Sequence, residues 1–166
     1  MALSVLVSLL LLIIAEAAKV DDAGFGSQYD WHSLEDGYVE AEKTGKPIMF
    51  VMHKSWCGAC KALKPQFAKS ASIEKLSKKF VMVIAGDDDA PTDSKFAVDG
   101  TYIPRIYFMS KGWNSDPDKS VIDAINEFGN PSYKYYYGSI SQIEASMKKA
   151  LASSSVEKRE VSQEEL

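Results

Sequence analysis

Cys57 and Cys60 are the only cysteines in the 166-residue chain, and they stand three apart in Trp56-Cys57-Gly58-Ala59-Cys60. The apolar run Ile48-Met49-Phe50-Val51-Met52 comes shortly before them, and the helix formers Lys61-Ala62-Leu63-Lys64 follow at once. A Cys-x-x-Cys set where a buried strand gives way to a helix is a site for thiol–disulfide exchange. Unpaired N–H groups and the helix dipole at the first turn favour a thiolate, which makes Cys57 the expected nucleophile. Cys60, one turn further in, is the expected resolving thiol, able to attack a mixed disulfide on Cys57 and close a Cys57–Cys60 disulfide.

Other uses of two cysteines fit less well. A structural zinc ion needs four ligands, and the only histidines, His32 and His53, lack ligand-like spacing, so no metal is expected. A c-type haem requires histidine directly after the second cysteine, where Lys61 stands. A purely structural disulfide gains most by closing a long loop, and this loop is very short.

The elements that must position the pair alternate between helix and strand. Ser33 is an N-cap for a helix opening at Leu34-Glu35-Asp36, and Gly45 with Pro47 closes it. A strand to His53 follows, then the helix from about Cys57, with a kink expected at Pro65. Ser72-Ile73-Glu74-Lys75-Leu76 predicts a further short helix or a continuation, and Phe80 to Ala85 a second buried strand. Arg105 to Met109 is a third strand, with a turn at Lys111-Gly112. Ser139 to about Leu151 is a closing helix with Ile140, Ile143 and Met147 on one face.

The chain ends bear on where such chemistry could run. Met1 to Ile14 has no charged side chain and leads to Ala15-Glu16-Ala17, a small-residue cleavage pattern, so residues 1–17 are expected to be a signal peptide. Residues 18–30 form an N-terminal extension, 31–152 the domain and 153–166 a polar tail. Once the leader is removed, about 150 residues remain, enough for one domain, with no membrane span expected. The compartment is expected to be oxidising, where a reversible cysteine pair can cycle. Gln163-Glu164-Glu165-Leu166 is similar to a retrieval signal of the endoplasmic reticulum, which predicts retention in its lumen through a retrieval receptor; secretion is the alternative. The net charge of −4, with basic and acidic residues interspersed, argues against a nucleic-acid partner.

Three further features are read as structural. Asp87-Asp88-Asp89 with Asp93 is a solvated loop rather than a calcium site, and Asp116-x-Asp118-x-Ser120 lacks the turn glycine of an EF-hand. Tyr133, Tyr135, Tyr136 and Tyr137 are expected to pack, or at most to contact a peptide.

The order of elements, with Cys-x-x-Cys after one strand and Ile103-Pro104 before a later one, resembles the thioredoxin fold: a single α/β domain with a central mixed sheet flanked by helices. His53 to Pro65, Tyr102-Ile103-Pro104-Arg105 and Gly129 to Tyr135 are together similar to a smaller family. These are the one-domain endoplasmic-reticulum proteins called thioredoxin domain-containing protein twelve, with the related anterior-gradient proteins, and the resemblance spans nearly all of the mature chain. It implies that Pro104 is cis and that Trp56, Ile103 and Pro104 bind substrate, the Ile103 backbone pairing with an extended segment. Lys54, Gly58, Ala59 and Lys61 would form the immediate surroundings of the cysteines.

The same resemblance implies a protein thiol–disulfide oxidoreductase with no bound cofactor. Glutathione would be its redox partner, and secretory-pathway proteins with thiols or disulfides its substrates. Two departures stand out. Thioredoxins carry a buried acidic residue six positions before the first cysteine, where this chain has Val51; Lys54 and Glu35 are the substitutes the sequence offers for moving the Cys60 proton. Ala59 replaces the proline or histidine common between the cysteines. The second functional class in play is a client-binding or holdase module that forms mixed disulfides through Cys57 without significant turnover, as some anterior-gradient relatives with one active-site cysteine would.

Overall fold

The structure, a computed structural model, describes residues 19–92, 94–110 and 124–164, with side chains in the last helix as far as Ser154. The expected signal peptide, Asp93, the turn at Lys111-Gly112, the Asp116–Ser120 stretch and the final Glu165-Leu166 lie outside the described residues.

A four-stranded mixed sheet in the order β1-β3-β2-β4 forms the centre. Its strands are β1 (Trp31–His32), β2 (Ile48–His53), β3 (Val81–Gly86) and β4 (Arg105–Met109). β3 runs parallel to both β1 and β2, while β4 runs antiparallel to β2 in a register that sets Met52 opposite Arg105. β2 and β4 are buried along their whole length, because helices cover both faces of the sheet.

Side-chain alternation along β2 separates two cores. Met49 and Val51 point with Met82, Ile84, Ile106 and Phe108 toward the helices α2 (Gly58–Ala68), α3 (Ala71–Ser77) and α4 (Ile140–Glu164). Leu63, Phe67, Ile73, Ile143 and Met147 meet them there. Ile48, Phe50 and Met52 point the other way with Val83 and Tyr107, toward Ala41 of α1 (Leu34–Thr44).

The local signals act where the sequence puts them. Ser33 Oγ accepts the Asp36 N–H at 3.1 Å, and Gly45 ends α1 in the left-handed conformation at φ 65°. Pro65 removes one intrahelical hydrogen bond, yet α2 stays helical to Ala68, since Leu63 and Phe67 anchor both sides of the proline in the core.

Two differences from the sequence reading have physical causes. The closing helix, expected to end near Leu151, runs on to Glu164. Residues 152–164 contain neither glycine nor proline, and the Ser153 and Ser154 hydroxyls bond back to the carbonyls of Lys149 and Ala150, so the polar sequence costs the helix little. The segment before Trp31 also contributes to the core. Phe25 and Tyr29 are buried with Trp31 around the Phe67 ring, and Tyr29 Oη donates to the Phe67 carbonyl at 3.0 Å.

Candidate active site

Parallel pairing puts the C-terminal ends of β2 and β3 at one edge of the sheet, and the antiparallel β4 begins at that same edge. The loop after β2 therefore faces the loop before β4. One carries Trp56-Cys57 and the other Ile103-Pro104, whose peptide bond is cis.

Cys57 is the N-cap of α2. Its backbone is extended at φ −74°, ψ 117°, and its Sγ accepts the Cys60 N–H at 3.1 Å. A side chain in that position satisfies an otherwise unpaired amide, and on reduction it would hold its negative charge against the positive end of the helix. The two cysteines are joined in a disulfide, with Cα atoms 5.3 Å apart. Cys57 keeps 5 % of its surface exposed and Cys60 none, so an incoming sulfur meets Cys57. Across the gap, the Cys57 Sγ lies 3.6 Å from the Ile103 carbonyl oxygen, a contact that becomes a hydrogen bond when Cys57 carries a thiol proton.

The other sequence-predicted residues fall around this pair in distinct ways. Trp56 is 73 % exposed and forms an apolar rim beside Cys57. Gly58 is exposed with open space where a side chain would project, Ala59 is half-buried, and Lys61 lies on the solvent face of α2. Ile103 is half-buried and Pro104 buried. Lys54 donates from Nζ to the Asp87 carbonyl, and Ser55 N–H donates to Asp87 Oδ1 at 3.0 Å, so Lys54 is tied to the loop after β3. Glu35 sits in the first turn of α1 and is exposed. Val51 is fully buried among apolar side chains, opposite Ile84 and Ile106.

His53, at the end of β2, is buried to 6 % exposure, and its Nδ1 has no hydrogen-bond partner among the described residues. The ring fills the space above Gly86, where an added methyl would collide with it, and lies 5.6 Å from the Phe25 ring. Burial holds its pKa below the ordinary histidine value. Lys64, and less strongly Lys54, add to the shift, and Asp87 and Asp21 oppose it. The unfolded chain thus binds a proton near pH 6.5 that the folded chain refuses until lower pH. Stability should fall as pH drops from about 7 through this window, and the His53→Gln variant should lose that part of the slope. Urea midpoints at about pH 5.5 and about pH 7.5 measure it; equal slopes in both proteins would mean that His53 titrates freely.

The loop that presents Ile103 is fixed by residues the sequence reading passed over. Arg105, at 5 % exposure, donates from one guanidinium nitrogen to the carbonyls of Phe96 and Gly100, the latter at 2.7 Å. Asp99 Oδ2 accepts from Tyr102 Oη at 2.6 Å and from Lys134 N–H at 2.7 Å, while Tyr102 Oη accepts the Tyr135 N–H at 3.0 Å. An arginine opening an otherwise apolar strand was the available signal, because a guanidinium buried there must find carbonyls to bond. Tyr137 packs in the core with its hydroxyl on the Ala124 carbonyl, whereas Tyr133 stays partly exposed against Tyr102.

Among the described residues no three histidine, cysteine, aspartate or glutamate side chains converge as a metal site, and no helix is long and apolar enough to cross a membrane. Residues 30–111 match the family model described as Thioredoxin-like. Anterior gradient protein 2-B of Xenopus laevis is 32 % identical over 163 residues, covering 89 % of this chain and 94 % of that protein. Anterior gradient protein 2 homolog of Homo sapiens is 32 % identical over 130 residues, covering 77 % and 70 %. Among solved structures, the DsbH oxidoreductase aligns with a TM-score of 0.48 at 15 % identity, over 80 % of this chain and 94 % of that one.

Proposed function

The chain belongs to the thioredoxin-like family and, within it, to the anterior gradient proteins, with a function of the thiol–disulfide oxidoreductase type; on that premise we propose that it exchanges disulfides with secretory-pathway proteins and draws its electrons from glutathione. The observation that carries the reading is the placement of the Cys57 Sγ, at the N-cap of α2 and facing the Ile103 carbonyl, with Cys60 enclosed one turn behind it.

The reductive cycle follows from that arrangement. The Cys57 thiolate attacks one sulfur of a substrate disulfide, forming a Cys57–substrate disulfide and releasing the other sulfur as a thiolate that takes a proton from solvent. The Cys60 thiolate then attacks the Cys57 sulfur, closes Cys57–Cys60 and releases the second substrate thiolate. Two electrons have passed from the protein dithiol to the substrate, and two glutathione thiols restore the dithiol while becoming oxidised glutathione. Run backward, the same steps oxidise a substrate dithiol.

The hydrogen bond from Cys60 N–H and the end of α2 stabilise the Cys57 thiolate both as attacker and as leaving group. The Ile103 backbone would align an extended substrate strand, and Trp56 would cover its apolar side chains. The leader at residues 1–17, uncharged from Met1 to Ile14, and the Gln163-Glu164-Glu165-Leu166 end support work in the endoplasmic-reticulum lumen, with retrieval by a receptor for that end.

Equilibration of the purified protein in buffers of varied glutathione ratio, with the Cys57–Cys60 state read by alkylation and mass, tests the reading. A reversible two-electron transition is expected, with a midpoint in the range of the secretory compartment, about −180 to −210 mV. A pair that stays in one state across that range would sink it.

A further inference from the structure

Beside Ile103 the surface opens into a cavity of about 500 Å³. Tyr102, Ile103, Phe128, Tyr133 and Tyr136 form most of its apolar wall, and none of its lining side chains is charged. Phe128 is 72 % exposed and Tyr133 46 %. Large aromatic side chains left in water beside the loop that faces Cys57 are a surface waiting for apolar contact.

The wall is held in place from behind. Asn126, at 4 % exposure, donates from Nδ2 to the Tyr136 carbonyl at 2.7 Å and accepts the Phe128 N–H on Oδ1 at 3.2 Å. Gln142 accepts the Gly138 N–H at 3.0 Å and donates to the Phe128 carbonyl at 3.3 Å. Tyr133 rests edge-on against Tyr102, with ring centroids 4.9 Å apart, and Tyr102 is itself bonded to Asp99. Both backbone groups of Phe128 are thus fixed while its ring is left free to be covered, so little ordering is needed when something binds.

We propose that this cavity is a side-chain subsite for client polypeptides, taking one large uncharged residue, aromatic or aliphatic, close in sequence to the cysteine that Cys57 attacks. The inference rests on the redox reading above and adds its selectivity. Ile103 is shared between the two places: its carbonyl faces Cys57 and its side of the loop lines the cavity. Side chains on one face of an extended chain repeat every ~6.7 Å. A segment crossing Ile103 with its cysteine at Cys57 therefore brings the residue two positions away over the cavity. Glutathione is a poor occupant, because its charged ends would meet a wall with no charged partner. A volume in the range of small-ligand sites accommodates one aromatic side chain with part of its neighbour.

The test uses the reduced protein and short peptides with one cysteine held in a mixed disulfide with a chromogenic thiol. The peptides carry Phe, Ala or Lys two residues before or two residues after the cysteine, and oxidised glutathione is run in parallel. In one of the two positions the Phe peptide should react about tenfold faster than its Ala counterpart, as partial burial of a phenyl ring provides. The Lys peptide should react more slowly than the Ala peptide. In Phe128→Ala, and separately in Tyr133→Ala, the Phe-to-Ala ratio should fall toward one; both side chains are exposed enough that the fold does not depend on them. Equal rates for all peptides alongside a normal reaction with oxidised glutathione would overturn the subsite and leave the redox reading standing. So would a preference that survives both substitutions. If neither the peptides nor oxidised glutathione react, the redox reading fails and the subsite with it.

Discussion

The Cys60→Ser protein, isolated from an oxidising compartment under acid quench, should carry client proteins bound through Cys57, and Cys57→Ser should carry none. The expectation follows from exposure. Cys57 is the sulfur a client can reach and Cys60 has no exposed surface, so a mixed disulfide forms on Cys57 and the enclosed thiol resolves it from within. Intramolecular attack has an effective concentration of roughly 10⁵ M or more for well-placed groups, against millimolar external thiol. Removing Cys60 should therefore slow release by at least about a thousandfold, while capture continues. Non-reducing electrophoresis with mass identification of the trapped chains reads the first effect, and steady-state reduction of a peptide disulfide reads the second. A module that only holds clients predicts otherwise: Cys60→Ser would then leave both the amount captured and its rate of release close to those of the unaltered protein.

Much of the frame around that pair was legible because it rests on short-range signals. Ser33 and Gly45 bracket α1 by capping chemistry alone, and the runs at 48–53 and 105–109 are strands buried on both faces, which no amphipathic helix would mimic. Cys57 was placed at a helix start by the change from apolar run to helix formers, and it caps that helix. What stayed hidden depends on partners distant in sequence. A two-residue strand such as Trp31–His32 has no periodicity to detect, and Phe25 and Tyr29 become core only because Phe67 arrives beneath them. The contacts from Asp99 to Lys134 and from Tyr102 to Tyr135 join positions more than thirty residues apart. The helix beyond Leu151 was missed for the opposite reason: its polar residues carry no apolar stripe, so only their local propensity marks it as helical.

Val51→Asp, which places a carboxyl where thioredoxins have one, should destabilise the protein by about 3–5 kcal/mol at neutral pH. Val51 has no exposed surface, and its neighbours across β2 are Ile84 and Ile106, so the new group would have neither water nor an opposite charge beside it. Desolvation would raise the pKa of the folded-state carboxyl above the ordinary value of about 3.9. Between those two values the folded protein holds a proton that the unfolded chain has released, so stability must fall as pH rises, opposite in sign to the His53 contribution. Val51→Asn separates the two parts of the loss: it should destabilise without the pH slope, since an amide does not titrate. Urea unfolding across about pH 4 to 8 on both variants gives the measurement. A Val51→Asp protein as stable as the parent, with no slope, would mean that solvent reaches position 51. The expected loss says the reverse. With Val51 buried among apolar side chains, no carboxylate stands at that position to take the Cys60 proton, so the proton has to pass to water or to another group.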